Sequence, residues 1–449
     1  MIFLDSNGNF VEKNSYTADF VFVYEIQTRE TNGITLIGYE LVKRGYSVAY
    51  VNAWHELHRS GKRVTAKVAI VFAAYNDEVI SFALSFIEKC DYALNMQWEQ
   101  VLTPQSVEPG CIYILSGNAV NVHHCAWGEE NVKHLTEVCG IPAENVHRVG
   151  HVGHDFVRKE LDGFYRSRED VCAEFGLDPK AKLEFFIASF PPQVTTGGMS
   201  IVTDEYLDVA RKSRLEIIDW FKRYHNEHKE ITFIYRPHPA EELTPEFVAD
   251  MEKDGAIKVI KDYSVQQWIK IADDVLIWRS TSMGDVYTAG KGCLYLTPYE
   301  IPRRYVYDMM VDADRVCSYE DFCKSMGGEF KFPISSETMN KYYYSDETPA
   351  YVRIADVLEE LYKKEDGKLD SSLFKPRLEK GNRTWLDIRN LYGYMKVKLL
   401  YTLGFKKYKD GYEETKYHRA MDKRNYVSDK KTISMMKQLN SIIASNREG

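Results

Sequence analysis

The stretch Ile231–Glu241 (ITFIYRPHPAE) joins an apolar run to a guanidinium and an imidazole within a few residues. Further along, the apolar run Val275–Trp278 ends just as abruptly, at the polar loop 279–282 (RSTS). Each run predicts a buried strand, and each is followed by a segment with helical periodicity. Ligands of open α/β sheets bind where strands end and helices begin. The two loops therefore predict a pocket at one edge of a parallel sheet.

The residue types in these two loops suit a phosphate. The second loop offers hydroxyls and backbone N–H groups at a predicted helix N-terminus, where anions bind readily. The first loop offers donors that can carry positive charge. We therefore expect a phosphorylated ligand, and most simply a nucleotide, held by Arg236, His238, Pro239, Ser280, Thr281 and Ser282. The other interpretation is that each loop is an ordinary strand-to-helix turn.

Strand-like and helix-like segments alternate along residues 20–300, which predicts parallel sheets with helical crossovers. The predicted strands are Phe20–Tyr24, Tyr46–Val51, Lys67–Ala73, Asp91–Met96, Cys111–Leu115, Val146–Gly150, Leu183–Ala188, Ile231–Tyr235, Ile257–Ile260, Val275–Trp278 and Cys293–Leu296. The predicted helices include Gly33–Arg44, Glu78–Lys89, Glu129–Val138, Arg168–Phe175, Glu205–Tyr224, Pro245–Lys253, Val265–Ile271 and Met283–Ala289.

The chain has 449 residues, which exceeds one ordinary hydrophobic core. We therefore expect an α/β protein with two Rossmann-like domains facing across a cleft. The boundaries are predicted at residues 1–164 and 165–345, with a return segment and a basic helical tail at 346–449.

The order of the motifs resembles a known group of enzymes. The Arg-Pro-His-Pro and Ser-Thr-Ser loops, followed by Asp285 and by Gly290-Lys291-Gly292, are similar to the C-terminal half of GT-B glycosyltransferases of bacterial surface-carbohydrate biosynthesis. More distantly they resemble CDP-glycerol glycerophosphotransferases, polysialyltransferases and Kdo transferases. In those families the His-Pro and Ser-rich motifs hold the phosphate of a cytidine-nucleotide donor.

The N-terminal half carries the same resemblance. The segments Glu25–Glu30 (EIQTRE) and 126–130 (AWGEE) match that group, whereas Val149–Asp155 (VGHVGHD) lacks the Pro-Arg pair of its Gly-x-Pro-Arg-x-Asp segment. The resemblance implies a transferase that uses a CMP- or CDP-linked donor. Its acceptor would be a hydroxyl of a glycan or a lipid-linked glycan in surface or capsular polysaccharide synthesis.

Transfer to a hydroxyl needs a stabilised phosphate leaving group and, in an inverting reaction, a general base. His238 is predicted to donate to the phosphate, and Glu30 or Glu99 is predicted to be the base, with Arg29 nearby in the same loop as Glu30. Each glutamate has the alternative role of a surface carboxylate or an arginine partner. Residues predicted to contact the ribose, the nucleotide or the acceptor are Asp285, Thr196, Gly197 and Arg29. Asp285 could equally favour the positive end of a helix dipole, and Thr196-Gly197 could be a flexible connection.

Two other function classes stay open. A UDP-sugar 2-epimerase shares the two-domain fold, but the His-Arg-Arg-Glu segment of such enzymes is replaced here by residues 190–193 (FPPQ). A non-catalytic assembly subunit of the same fold is the third possibility, and the polar loops argue against it.

Charge is distributed unevenly. The net charge is −8, yet residues 375–431 hold 16 Lys/Arg against 7 Asp/Glu, or +9. Residues 432–449 add about +1, which leaves about −18 on residues 1–374. This acidic body is unsuited to nucleic acid. The basic segment 375–431 is interleaved with aromatic residues and has two interpretations: contact with an anionic inner membrane leaflet, or a helix packed on the body.

The remaining features exclude several classes. The eight cysteines form no Cys-x-x-Cys pair and are expected to be reduced. The N-terminus has no basic segment of a signal peptide, and no apolar run reaches about eighteen residues, so we expect a cytoplasmic protein, at the inner face of the membrane if the tail binds lipid. His123 and His124 are adjacent on a strand and point to opposite faces, so a shared metal is not expected. No cofactor is required by the sequence.

Overall fold

The computed structural model describes residues 1–11, 16–56, 63–191, 194, 202–238, 241, 243–373 and 429–445, together with 388–404 except 390, 394, 397 and 401. The chain divides into two compact units. Unit 1 comprises Met1–Gln100, Ile112–Val152 and Asp346–Gly449, and unit 2 comprises Val101–Cys111 and Gly153–Ser345.

Unit 1 is built on a seven-stranded sheet in the order β1-β3-β2-β5-β7-β8-β9, in which only β1 is antiparallel to its neighbour. Its strands are β1 (Ile2–Leu4), β2 (Phe20–Tyr24), β3 (Val48–Asn52), β5 (Val68–Val71), β7 (Tyr92–Asn95), β8 (His123–Ala126) and β9 (Val146–Arg148). A separate pair consists of β4 (Val64–Thr65) and β6 (Ile87–Lys89). The longer helices are Gln27–Lys43, Asp77–Leu84, Ala350–Lys363 and Asp429–Ser445, with shorter ones at Ala53–Glu56 and Glu129–Lys133.

The apolar runs of unit 1 become fully buried strands because helices cover both faces of a parallel sheet. Every residue of β2 and β3 is buried. The helix Gln27–Lys43 approaches β3 closely at Gly38, where an added Cβ would lie 1.8 Å from the Tyr50 hydroxyl. A glycine is therefore required at this crossing.

Unit 2 contains a five-stranded parallel sheet in the order β12-β11-β10-β13-β14. Its strands are β10 (Lys182–Ala188), β11 (Ile231–Arg236), β12 (Ile257–Val259), β13 (Asp274–Trp278) and β14 (Cys293–Tyr295). Its helices are Arg168–Phe175, Asp204–Glu227, Pro245–Glu252, Val265–Ile271, Met283–Thr288, Tyr319–Met326 and Ser336–Tyr342. Serine or threonine side chains cap six of these helices by accepting from the backbone N–H three residues further along, for example Thr203 from the N–H of Tyr206.

The structure corrects three sequence-based expectations. Cys111–Leu115 is not a strand, and Ile112 is 60% exposed; the strand that pairs with β7 is β8, which contains His123 and His124. The predicted helix Glu78–Lys89 ends at Leu84, and Ile87–Lys89 forms β6. The chain enters unit 2 after Val152 rather than near residue 164, and the excursion Val101–Cys111 also belongs to unit 2.

The C-terminal segment contains two helical parts with different surroundings. The helix Asp429–Ser445 packs against Gln27–Lys43 and buries Met436 and Leu439. Between 388 and 402 every described residue is helical; Ile388, Leu391, Tyr392, Met395 and Leu399 are exposed, whereas Leu400 is half-buried. Among the described residues, no helix is long and apolar enough to cross a membrane.

Candidate functional site

The sheet of unit 2 has a topological switch point between β10 and β13. The chain runs outward from β10 through β11 to β12, and then returns to the other side of β10 to form β13 and β14. Crevices for ligands form outside the carboxyl ends of the strands at such a point. The loops that begin at Ser189 and Arg279 leave these two strand ends.

A cavity of about 690 Å³ lies at this edge. The loops after β10, β11 and β13 line it, together with the excursion Val101–Cys111 and the segment that follows Pro302. Its described lining residues are Gln105, Glu108, Pro109, Gly110, Cys111, Ser189, Phe190, Pro191, Val202, Tyr206, His238, Arg279, Arg304 and Tyr305. Every one of them belongs to unit 2. The volume is within the range of small-molecule sites.

Arg279 has the most unusual backbone of the cavity lining. Its φ is +39°, in the left-handed region that a side chain with a Cβ rarely adopts. Its Nε donates to the carbonyl of Tyr305, and its guanidinium lies 4.3 Å from the ring centre of Tyr307. Such a conformation costs about 1–3 kcal/mol and is concentrated at functional sites. The strained residue thus places its guanidinium at the carboxyl end of β13.

Stacked aromatic rings form the apolar part of the site. Tyr206 and Tyr305 are parallel, with ring centres 4.2 Å apart, and Phe190 stacks on Trp278 at 4.4 Å. The Tyr305 hydroxyl also accepts from the N–H of Thr203 at 3.0 Å, at the start of the helix Asp204–Glu227. These contacts fix the wall that carries Arg279.

A second cation of the cavity lining is Arg304, in the segment that follows Pro302. Arg304 pairs with Glu108 at 2.7 Å, and it also donates to the amide oxygen of Gln105 in the orientation that satisfies both groups (2.8 Å from Nε). Both side chains of the ion pair are about half exposed, so the pair contributes little to stability. Its significance is that the excursion Val101–Cys111 brings a carboxylate to the cavity.

The two predicted residues of the first loop have different positions. His238 is exposed and lines the cavity. Arg236 does not belong to the lining, since its guanidinium donates to the carbonyl of Tyr263 at 3.1 Å. Burial lowers the pKa of Arg236 to about 10. Tyr263 itself has a φ of +66°, so Arg236 stabilises a strained turn, and its predicted phosphate contact stays a prediction.

The Ser280–Ser282 loop lies next to Arg279 but outside the cavity lining. Ser280 is buried, and its Oγ accepts from the N–H of Ser282 at 3.2 Å. The carbonyl of Thr281 accepts from the hydroxyl of Tyr343 at 3.3 Å. The hydroxyl of Ser280 therefore shapes the turn into the helix Met283–Thr288, and the predicted contact of Ser280, Thr281 and Ser282 with phosphate stays a prediction.

Asp285 is a buried carboxylate behind the same turn. Its Oδ1 accepts from the side-chain amide of Gln266 at 3.0 Å. Burial raises the pKa of Asp285 to about 7, and the hydrogen bond from Gln266 opposes this effect. Burial disfavours the charged carboxylate, which weakens any interaction with the helix dipole, and the predicted contact of Asp285 with the nucleotide, the ribose or the acceptor stays a prediction.

The predicted bases of unit 1 share one arginine. Arg29 donates from Nη2 to Glu30 and from Nη1 to Glu99, both at 2.7 Å. Glu30 is fully buried and also accepts from the backbone N–H groups of Glu25 (2.8 Å) and Ile26 (3.2 Å), which lead into the helix Gln27–Lys43. Burial raises the pKa of Glu30, against the opposing effect of Arg29. Glu30 therefore serves the structure, whereas Glu99, 58% exposed, is accessible.

The histidines of β8 take part in local hydrogen bonds. His124 lies between the side chain of Asn95 (3.1 Å) and the carbonyl of Ala119 (2.9 Å). His123 Nδ1 is 3.0 Å from Nε2 of His147. Burial lowers the pKa of each of these histidines to about 4. In the described part of the chain no group of three or more His, Cys, Asp or Glu side chains could hold a metal ion.

Sequence reasoning missed Arg279, Arg304 and Glu108 as cavity residues. Arg279 follows a predicted strand directly, but the phosphate contact was assigned to the hydroxyl residues after it. Glu108 lies in a segment whose sequence gives no sign that it belongs to unit 2. Pro239, Thr196 and Gly197, which were predicted to contact the ligand, lie outside the described residues.

Comparison with known proteins supports the fold. No protein-family model matches the sequence, and no curated protein matches it. A crystal structure of a UDP-N-acetylglucosamine 2-epimerase is similar at a TM-score of 0.51 and 13% identity, over 80% of this chain and 100% of that one. The UDP-GlcNAc 2-epimerase of Neisseria meningitidis, bound to UDP-GlcNAc, has a TM-score of 0.47 and 11% identity, over 76% of this chain and 99% of that one. The wall teichoic acid polymerase TagF has a TM-score of 0.44 and 12% identity, over 66% of this chain and 73% of that one. The chain has a GT-B-type fold, as predicted, with a helical C-terminal region.

Proposed function

We propose that this protein is a glycosyltransferase that takes its sugar, or a polyol phosphate, from a nucleotide-activated donor bound in the cavity of unit 2. The acceptor is proposed to be a hydroxyl of a glycan or a lipid-linked glycan in surface-polysaccharide synthesis. The observation that carries the proposal is the cavity at the switch point of the parallel sheet, with Arg279, Arg304 and His238 in its lining.

The charge of this cavity favours a phosphorylated ligand. Two guanidinium groups and one imidazole face a single carboxylate, Glu108, among the described lining residues. Arginine binds phosphate through planar, charge-assisted hydrogen bonds. The stacked rings beside Arg279 provide the apolar surface that a base or a sugar would contact.

The same groups suit a departing phosphate. Negative charge develops on the phosphate as the glycosidic or phosphoryl bond breaks, and donors that are already oriented stabilise this charge without reorganisation. Arg279 is oriented by Tyr305 and Tyr307. His238 is proposed to donate to the same phosphate, and its exposure leaves it accessible to ligand.

For the general base, Glu99 is the better of the two proposed glutamates. Its carboxylate is exposed and is held by Arg29, whereas both oxygens of Glu30 accept hydrogen bonds from neighbouring donors. An exposed carboxylate that is held in place by one arginine can accept a proton from an acceptor hydroxyl.

A second candidate is a UDP-sugar 2-epimerase, because the UDP-N-acetylglucosamine 2-epimerase above has the same fold. Epimerisation at carbon needs a base that removes a C–H proton within the cavity. The only described carboxylate of the lining, Glu108, is paired with Arg304. Phosphate binding in this cavity serves both candidates, and either reaction would need a base from outside the described lining, so the choice between them falls to the nucleotide preference.

The decisive experiment is a titration of the full chain with CMP, CDP, UDP and GDP by calorimetry, in the presence of EDTA. We expect cytidine nucleotides to bind most tightly, which rests on the resemblance of the two loops to cytidine-dependent transferases. A clear preference for UDP would favour the epimerase or a UDP-sugar transferase.

Matched variants locate the site. Arg279→Gln and His238→Ala should each weaken nucleotide binding about tenfold or more, as expected for the loss of a charge-assisted bond. Arg303→Gln is the control, because Arg303 is exposed, pairs with Asp308 and does not line the cavity. Normal binding by both Arg279→Gln and His238→Ala would remove the cavity from the proposal.

A further inference from the structure

The described residues of 388–404 present an apolar stripe to solvent. Ile388, Leu391, Tyr392, Met395, Leu399 and Leu403 are between 53% and 70% exposed. At 100° per residue, these six positions fall within about 120° of the helix circumference. Exposed apolar residues elsewhere on the described surface are scattered over separate elements, such as Val107, Val138 and Leu215.

Basic side chains border this stripe on both sides. Arg389, Lys396 and Lys398 lie about 80–100° from its centre, two on one side and one on the other. Residues 388–404 contain no Asp or Glu. Long cationic side chains at the border of an apolar face can keep their charges at a polar boundary while their stems lie along apolar surface.

The helix Asp429–Ser445 shows what a packed helix of the same tail looks like. It contacts the helix Gln27–Lys43, and Met436 and Leu439 are 4% and 0% exposed. The two interpretations of the basic tail thus apply to different parts of it. The 429–445 helix packs on the body, whereas the 388–404 stripe is uncovered.

We propose that residues 388–404 bind the surface of an anionic lipid bilayer, with the apolar stripe at the level of the acyl chains and the basic border at the headgroups. A bilayer supplies both requirements of this segment, an apolar layer and a negatively charged border. The segment lies within the stretch 375–431, which carries +9, so electrostatic attraction extends beyond the stripe itself. This inference is independent of the proposed chemistry.

The test is sedimentation of the full-length protein with vesicles. One set contains phosphatidylglycerol and phosphatidylcholine in equal amounts, and the other contains phosphatidylcholine alone. We expect binding to the anionic vesicles that weakens as salt is raised. The Leu391→Gln/Leu399→Gln variant should bind about 100-fold more weakly, at about tenfold or more for each leucine removed from the apolar layer.

A charge variant and a control complete the design. Arg389→Gln, Lys396→Gln and Lys398→Gln together should reduce binding to anionic vesicles by roughly 100-fold, at about fivefold for each charge. Leu215→Gln is the matched control, because Leu215 is 56% exposed on another helix and should leave binding unchanged. The thermal transition of each variant should match that of the wild type, since none of these side chains is buried.

Three results would overturn the proposal. The leucine variant could bind anionic vesicles as well as the wild type, or the wild type could bind neither vesicle. Concentration-dependent self-association that the leucine variant abolishes, without vesicle binding, would show instead that a second copy covers the stripe.

Discussion

Replacing Asp285 with asparagine should change how stability depends on pH. The carboxyl of Asp285 is buried and accepts one hydrogen bond, from Gln266, which asparagine can also accept through its amide oxygen. The substitution therefore keeps the shape of the site and removes the ionisable group. Its effect on the free energy of unfolding reports the cost of burying the charge.

The sign follows from the two pKa values. Burial raises the pKa of Asp285 from its ordinary value of 3.8 to about 7 in the folded protein. Between these values the folded state binds more protons than the unfolded state, so the wild type loses stability as pH rises from about 4 to 7. Full ionisation costs about 4 kcal/mol, of which about 2.5 kcal/mol develops between pH 5 and 8.

The assay is urea unfolding of both proteins at pH 5, 6, 7 and 8, followed by tryptophan fluorescence, since Trp268 and Trp278 are buried in unit 2. Asp285→Asn should gain about 2.5 kcal/mol relative to the wild type across this range. Burial also raises the pKa of Glu184 to about 7, but Glu184 is present in both proteins and cancels in the difference. Asp312→Asn is the control for the loss of an exposed carboxylate. A difference between Asp285→Asn and wild type that stays constant with pH would refute the reasoning.

Gly38→Ala should destabilise unit 1 by about 1–3 kcal/mol through overpacking against Tyr50, and Tyr50→Phe in the same chain should restore part of the loss in a thermal melt. Glu30→Gln should lower the free energy of unfolding by about 1–3 kcal/mol, because both oxygens of Glu30 accept hydrogen bonds and the amide NH₂ of glutamine would leave donors of Arg29 or of the backbone without an acceptor. Glu99→Gln should change the free energy of unfolding by no more than about 0.5 kcal/mol. If Glu99 is the base, the variant should lose about 100-fold or more in turnover with unchanged donor affinity. A stable, fully active variant would exclude Glu99 as the base. Leu439→Ala should cost about 2–5 kcal/mol by chemical unfolding, whereas a smaller loss would mean that the C-terminal helix is weakly packed.

The fold was largely predictable because local signals agree with it. The helices Arg168–Phe175 and Val265–Ile271 were predicted to the residue, each behind a serine that caps it. The strands of unit 2 are apolar runs that a parallel sheet buries on both faces. No apolar run marked the extent of β8, because its two histidines are buried through hydrogen bonds to His147 and to the carbonyl of Ala119, which no local hydrophobic pattern indicates.

The site was only partly predictable, because a cavity is made by parts of the chain that are far apart. The motif of β11 pointed to His238, which lines the cavity, and its contact with phosphate stays a prediction. The same motif could not separate it from Arg236, since the carbonyl that Arg236 binds belongs to Tyr263, on another loop. Glu30 shows the same limit: its burial depends on how the helix Gln27–Lys43 meets the sheet, and the sequence shows only an acidic residue in a loop.

The excursion Val101–Cys111 has a consequence for the modularity of the chain. Because this short segment lies between two strands of unit 1 in sequence yet belongs to unit 2, no single cut divides the protein into its two units. A fragment that begins at Gly153 would lack Gln105 and Glu108, and Arg304 would lose both partners. Recombination with a relative could therefore exchange the cavity intact only through several coordinated crossovers. The two units are therefore expected to be exchanged together rather than separately.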